Sequence, residues 1–123
     1  MTAKHLALGA EGEARAAAFL RGRGYRIVAR NVRSGGVEID LIARSGAVVV
    51  FVEVKTRSSG RQGPPELAVD ARKQARLLRG AAAWLHARHG RAREVRFDVI
   101  ACERDAAGRW QLRHLEAAFD AGG

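Results

Sequence analysis

Val37-Glu38-Ile39-Asp40-Leu41 and Val48-Val49-Val50-Phe51-Val52-Glu53-Val54-Lys55 are the two stretches whose reading decides the fold. Both are rich in β-branched residues and bounded by glycine-containing turns, Ser34-Gly35-Gly36 and Ser45-Gly46, so each reads as a strand. Val48 to Val52 is apolar on both faces, which places that strand in the middle of a sheet. Yet three carboxylates and one ammonium interrupt these runs. Charges seldom sit in buried strands unless they are paired or hold a cation.

Outward from this pair, residues 5–23 read as a helix with Leu6, Ala16, Ala17, Phe19 and Leu20 on one face, ended by Gly22 and Gly24. Residues 25–32 read as a first strand, 37–44 as a second and 47–57 as a third. The loop Ser-Ser-Gly-Arg-Gln-Gly-Pro-Pro at 58–65 leads into a helix over 66–89, whose predicted apolar stripe is Leu67, Ala71, Ala75, Leu78, Ala82 and Leu85. Residues 94–103 and 109–116 read as two more strands around the Asp105–Gly108 turn. The order α-β-β-β-α-β-β predicts an α/β domain spanning 1–123, a mixed sheet with helices packed against it. A chain of 123 residues is one domain long.

Side chains alternate along a strand, so Glu38 and Asp40 should share a face, as should Glu53 and Lys55. With Ser45-Gly46 as a two-residue turn, Arg44 pairs with Ala47, Glu38 falls opposite Glu53, and Asp40 falls opposite Phe51. All four charges then lie on one side of the sheet. Two carboxylates that close cannot both stay ionised cheaply without a cation between them. Mg²⁺ (or Mn²⁺) suits such oxygens and keeps waters of its own. Lys55 is placed to attend an attacking water or a phosphate. On the first helix, Glu13 falls among Ala16, Ala17 and Leu20, and a carboxylate on a core-facing stripe needs a partner. The candidate metal ligands are therefore Asp40, Glu53, Glu13 and Glu38.

Lys and Arg number 22 against 13 Asp and Glu, a net charge of +9, and nearly all the cations are arginine. Arginine grips phosphate through a planar fork, which makes nucleic acid the expected partner. A codon bias toward arginine contributes to the same composition. Arg72, Lys73, Arg76 and Arg79 form a basic stripe on the second helix, and Arg57 and Arg61 flank the loop; these are the candidate backbone contacts. No run approaches the ~18 apolar residues of a spanning helix, and no leader is evident. Cys102 is the only cysteine, so no internal disulfide is available, and a cytoplasmic location is expected. His86-x-x-His89 has a metal-ligand spacing but no third ligand beside it. Asp98, in an apolar strand, is expected to pair with an arginine; Trp84, Trp110 and Cys102 are expected in the core or an interface.

The ordered set Gly9-Ala-Glu-Gly-Glu13, Gly24-Tyr25, Arg30-Asn31, the two acidic strands, Lys73, Arg96-Phe97-Asp98-Val99 and Ala118-Phe119 resembles the small bacterial YraN family (UPF0102). Through Glu-x-Lys and the preceding Asp it also resembles the PD-(D/E)XK nuclease superfamily, with archaeal Holliday junction resolvases as distant relatives. The resemblance covers almost the whole chain. It implies a restriction-endonuclease-like fold, Asp40 and Glu53 as ligands of the catalytic metal, Lys55 beside the nucleophilic water, and Glu13 as the helix acid. It implies DNA, including branched or structured DNA, as substrate, and a homodimer by analogy. Where the family pattern has Gly-Glu-Ile-Asp, this chain has Gly36-Val37-Glu38-Ile39-Asp40, one residue longer, so a bulged strand entry is expected. The rival expectation is a noncatalytic nucleic-acid-binding module on the same scaffold. A weaker one is a protein-interaction adaptor.

Overall fold

A computed structural model describes residues 3–58, 69–88 and 94–119. The elements are α1 (Ala3–Gly22), β1 (Arg26–Ser34), β2 (Val37–Ser45), β3 (Val48–Ser58), α2 (Ala71–Arg88), β4 (Glu94–Arg104) and β5 (Trp110–Phe119). The predicted order of elements is the observed one. The strands form one sheet in the order β1-β2-β3-β4-β5, so the doubly apolar β3 is central. Only β3 and β4 run parallel, joined by the segment that contains α2; the other neighbours are antiparallel. No helix among the described residues is long and apolar enough to cross a membrane.

The two helices cover opposite faces. Ala16, Ala17 and Leu20 of α1 pack on Leu41, Ala43, Val50, Val52, Ile100 and Cys102. Leu77, Ala81 and Trp84 of α2 pack on Ile39, Ile42, Val49, Phe51, Phe97 and Val99. Phe51 stacks on Phe97 (centroids 5.6 Å apart) and meets Trp84 edge-on (5.9 Å), which fills the α2 side with aromatic rings.

Several expectations need correcting. Residues 66–68 and 89 lie outside the described residues, as do 59–65 of the loop with Arg61. Val69 and Asp70 are not helical, and α2 starts at Ala71. Asp70 caps it: its Oδ1 accepts the Lys73 N–H at 2.8 Å and its carbonyl accepts that of Gln74 at 2.9 Å. The buried stripe of α2 is Leu77, Gly80, Ala81 and Trp84, rotated from the predicted one, while Ala71, Ala75 and Ala82 are exposed. The cause is Gly80. A Cβ there would lie 3.1 Å from the Ser34 carbonyl and 3.2 Å from the Val37 Cβ, so the helix closes onto β1 and β2 through its glycine. On α1, Leu6 is exposed instead of sharing the buried face of Ala16, Ala17 and Leu20.

The β2–β3 hairpin also differs. Ser45 pairs with Val48 and Arg44 with Val49, so the turn is Gly46-Ala47 and the register is two residues away from the expected one. Gly46 has φ +59°, and a glycine at the first central position is what a tight hairpin turn compatible with strand twist demands. At the β1–β2 turn, Gly35 and Gly36 both have positive φ (57° and 76°), and Ser34 pairs directly with Val37. The extra residue after Gly36 is therefore absorbed without a bulge at the strand entry.

Candidate active site

The two-residue register shift moves the acids. Main-chain pairing of β2 with β3 runs from Ser45↔Val48 to Leu41↔Val52. The next position on each strand is Asp40 and Glu53. There the ladder opens, and Asp40 Oδ2 accepts the Val54 N–H at 2.9 Å in place of a main-chain oxygen. Asp40, not Glu38, is thus the partner of Glu53.

The alternation of side chains breaks at the same level. Ile39 and Ile42 both face α2, three residues apart, and so do Ala29 and Val32 on β1. Between Ala29 and Val32 lies Asn31, with φ +51°. Asparagine tolerates that left-handed conformation better than most residues. Asn31 faces Asp40 in register, between Arg30↔Leu41 and Val32↔Ile39. Its side chain hydrogen-bonds the Glu13 carboxylate. This kink was not expected from the sequence; an Asn before a β-branched residue in a strand was the only signal.

The predicted four charges therefore do not share one side of the sheet. Glu13 reaches the opening from α1. Glu53 lies on the α2 side, where Lys73 Nζ stands 3.4 Å from its Oε1. Asp40 sits in the gap between β2 and β3. Glu38 is exposed and pairs in register with Arg33 of β1. Among the described residues, no three His, Cys, Asp or Glu side chains are close enough to hold a metal ion together. The two carboxylates left level with one another are Asp40 and Glu53, oxygen donors of the kind that Mg²⁺ takes together with waters.

Electrostatics single out Asp40 and Glu13. Burial, then repulsion from Glu53, pushes the Asp40 carboxyl up to about 7, against the pull of the Val54 N–H. Burial also raises Glu13, and the charges of Glu38 and Glu53 add to it while Asn31 and Arg30 oppose it. A carboxyl that is held half-protonated near neutrality is a charge deficit, and a cation would relieve it.

Close packing fixes Glu13 over the opening. Gly12 of α1 lies directly on Thr56 of β3: a Cβ on Gly12 would overlap Thr56 Oγ1 and come within 2.7 Å of its Cγ2 and 3.0 Å of its Cβ. Alanine is ordinarily better than glycine in a helix by about 1 kcal/mol. Here rotation of Thr56 would move its Oγ1 and Cγ2 but not its Cβ, 3.0 Å away, and overpacking costs about 1–3 kcal/mol. We expect Gly12→Ala to lower the melting temperature and Gly12→Ala/Thr56→Ala to recover most of the loss. Equal melting of wild type and Gly12→Ala would show that α1 rides free of β3.

Other predicted residues have other partners. Lys73 pairs with Glu53 as described; Arg72 and Arg76 are exposed and free to form a basic face. Arg79 Nε donates to the Gly35 carbonyl at 3.2 Å, so it closes the β1–β2 turn. Arg57 Nε donates to Glu103 Oε2 at 2.8 Å, because the parallel register sets these two residues side by side. Asp98 pairs with Arg96 as expected, and Trp84 and Cys102 are buried. Burial raises the Cys102 thiol to about 11, which makes it inert as a nucleophile. His89 lies outside the described residues.

The family described as uncharacterised protein family UPF0102 matches residues 12–102. A UPF0102 protein of Anaeromyxobacter dehalogenans is 46% identical over 117 residues, covering 95% of this chain and 87% of the relative. One of Symbiobacterium thermophilum is 49% identical over 114 residues, covering 93% and 97%. One of Beutenbergia cavernae is 50% identical over 109 residues, covering 89% and 92%.

Proposed function

The chain belongs to the uncharacterised protein family UPF0102, and we propose from its site that it is a metal-dependent nuclease of the PD-(D/E)XK kind that hydrolyses phosphodiester bonds in DNA, with branched or structured DNA as its substrate. The observation that supports this reading is the place of Asp40, level with Glu53 where a ladder opens in the middle of a sheet and bonded to the Val54 N–H; burial and Glu53 push its carboxyl up to about 7 there. Structural acids in strands are neutralised by their neighbours, whereas this one is left short of positive charge.

Asp40 and Glu53 would hold Mg²⁺ or Mn²⁺, which supplies Lewis-acid polarisation of the phosphate and an acidified water. Lys55 follows Glu53 by two residues on the same strand and would donate to the attacking water or to the phosphate as charge builds there. Glu13, fixed by Asn31, would hold the outer waters of the site. Arg72 and Arg76 would contact backbone phosphates, so binding should depend on shape and charge. Lys73 would act closer in, as the counter-ion of Glu53.

The Lys73–Glu53 pair favours a second reading. An ammonium already neutralises one acid, as it would in a noncatalytic DNA-binding module. One assay separates the two. Labelled junction, fork and duplex DNA are incubated with Mg²⁺ or Mn²⁺ and wild type, Glu53→Gln or Lys55→Ala. The nuclease reading expects cleavage by wild type and a loss of about 10²–10⁴-fold in either variant. Salt-sensitive binding without any difference in cleavage among the three leaves the binding module.

A further inference from the structure

We propose that Ala101, Glu103, Gln111 and Arg113 form a subsite for one unpaired nucleobase of the DNA strand, next to the phosphate being cut; this rests on the nuclease reading above. The register of β3 with β4 and of β4 with β5 arranges the sheet in rows. The first is Glu53–Val99–Leu115, the second Lys55–Ala101–Arg113, the third Arg57–Glu103–Gln111. Residues opposite one another on neighbouring strands share a face. Strands lie about 4.8 Å apart, so the Arg113 backbone is about 10 Å from that of Lys55, one short step along a nucleic-acid strand.

α2 lies closest to β1 and β2 and reaches β3 and β4 through Phe51, Phe97 and Val99. On the β4–β5 side, Ala101, Glu103, Gln111 and Arg113 line a cavity of about 230 Å³. Pockets for drug-sized molecules start near ~300 Å³, so this one suits a single flat ring system. Its chemistry points the same way. Ala101 is a buried, featureless floor, and the partly exposed Leu115 stands beside it in the neighbouring row. Glu103 is held by Arg57 at 2.8 Å, which fixes the direction of its acceptor. Gln111 and Arg113 are exposed; the glutamine carries an amide donor and acceptor side by side, the arginine a fork of donors. A site for phosphate alone gains nothing from a carboxylate in its lining. A fixed acceptor, an amide and one forked donor around an apolar floor match the edge and face of a base instead, and single-stranded nucleic acid is read in this manner.

The test is a cycle between protein and DNA. Cleavage by the full chain with Mn²⁺ first locates the cut. Affinity is then read by fluorescence anisotropy with Ca²⁺ in place of Mn²⁺, on forked DNA carrying one abasic position in turn along the single strand beside the cut. We expect one abasic position to weaken wild-type binding about tenfold. Arg113→Ala should weaken binding to intact DNA by a similar factor and be indifferent to that abasic position. Arg113→Lys, which keeps the charge and loses the fork, should behave like Arg113→Ala. If the losses from the abasic position and from Arg113→Ala multiply, or if Arg113→Lys binds as wild type does, the base subsite is overturned while the nuclease reading stands. If wild type neither cleaves nor binds DNA, the nuclease reading fails first and this inference with it.

Discussion

Asp40→Asn is expected to fold, to melt at a higher temperature than wild type at pH 8 in EDTA, and to cleave DNA on the order of 10³-fold more slowly with Mg²⁺, equivalent to about 4 kcal/mol of barrier. The stability half follows from linkage. The folded-state pKa of Asp40 is about 7, above its ordinary value of 3.8. A raised pKa means that the folded chain holds the proton more tightly. The associated stability is therefore fully present below pH ~4 and is lost as pH rises through about 7. Above that, the ionised carboxylate is a liability of a few kcal/mol at most. Asparagine removes the charge and keeps an oxygen for the Val54 N–H, which Asp40 Oδ2 accepts at 2.9 Å. Melting curves from pH 4 to 9 without divalent ions should show wild type falling relative to Asp40→Asn as pH rises. Millimolar Mg²⁺ should close that gap by stabilising wild type alone. Parallel curves, unaffected by Mg²⁺, would sink both the charge deficit and the metal pair.

The second large effect lies in β4, on the face that α1 covers, and concerns stability alone. Asp98 is 1% exposed and accepts four hydrogen bonds: from Arg96 Nε at 2.9 Å and Nη2 at 2.8 Å, from the Ala117 N–H at 3.0 Å, and with His114 Nε2 at 2.7 Å. Arg96 Nη2 also donates to the Tyr25 hydroxyl. Burial alone would raise the Asp98 carboxyl, but the bonds from His114, Arg96 and Ala117 outweigh it and hold the pKa below the ordinary value. Ala117 has φ +50°, and β4–β5 pairing shifts register between Phe97 and Val99, so the carboxylate pins the irregular end of β5. Asp98→Ala would take from Arg96 its buried carboxylate and leave His114 Nε2 and the Ala117 N–H without their acceptor. We expect a loss of about 3–5 kcal/mol, or on the order of 10–20 °C in melting temperature. Asp98→Asn should lose less, because it keeps the shape and one acceptor. The pH sign is opposite to that of Asp40: with a depressed pKa, this stabilisation is present above the ordinary carboxylate pKa and is lost as pH falls through the folded value. A melting temperature within a few degrees of wild type for Asp98→Ala would show the network to be incidental.

Element order and type were legible because they rest on short-range patterns. β-Branched runs broken by Gly-containing turns gave the strands, and the doubly apolar Val48–Val52 gave the central position of β3. The acids were visible as charges inside those runs. Their grouping was not. A two-residue difference in one turn, Gly46-Ala47 instead of Ser45-Gly46, decided that Asp40 and not Glu38 meets Glu53. Both turns contain Gly46, and local sequence barely separates them. The stripe of α2 was misplaced for a related reason: alanine and glycine carry so little hydropathy that periodicity cannot tell a bare surface from a close approach such as Gly80 on Ser34 and Val37.

By itself, then, the sequence determined an α/β chain with a central apolar strand, an excess of positive charge, and carboxylates in strands where solvent would not compensate them. Tertiary structure alone decided which carboxylates share a space. The positive φ at Asn31, the opening of the ladder past Leu41↔Val52, and the contact of Gly12 on Thr56 set Glu13 and Glu53 around Asp40, where their charges act on it. Those events depend on packing between residues far apart in the chain, and propensity and periodicity, being local quantities, carry no information about them.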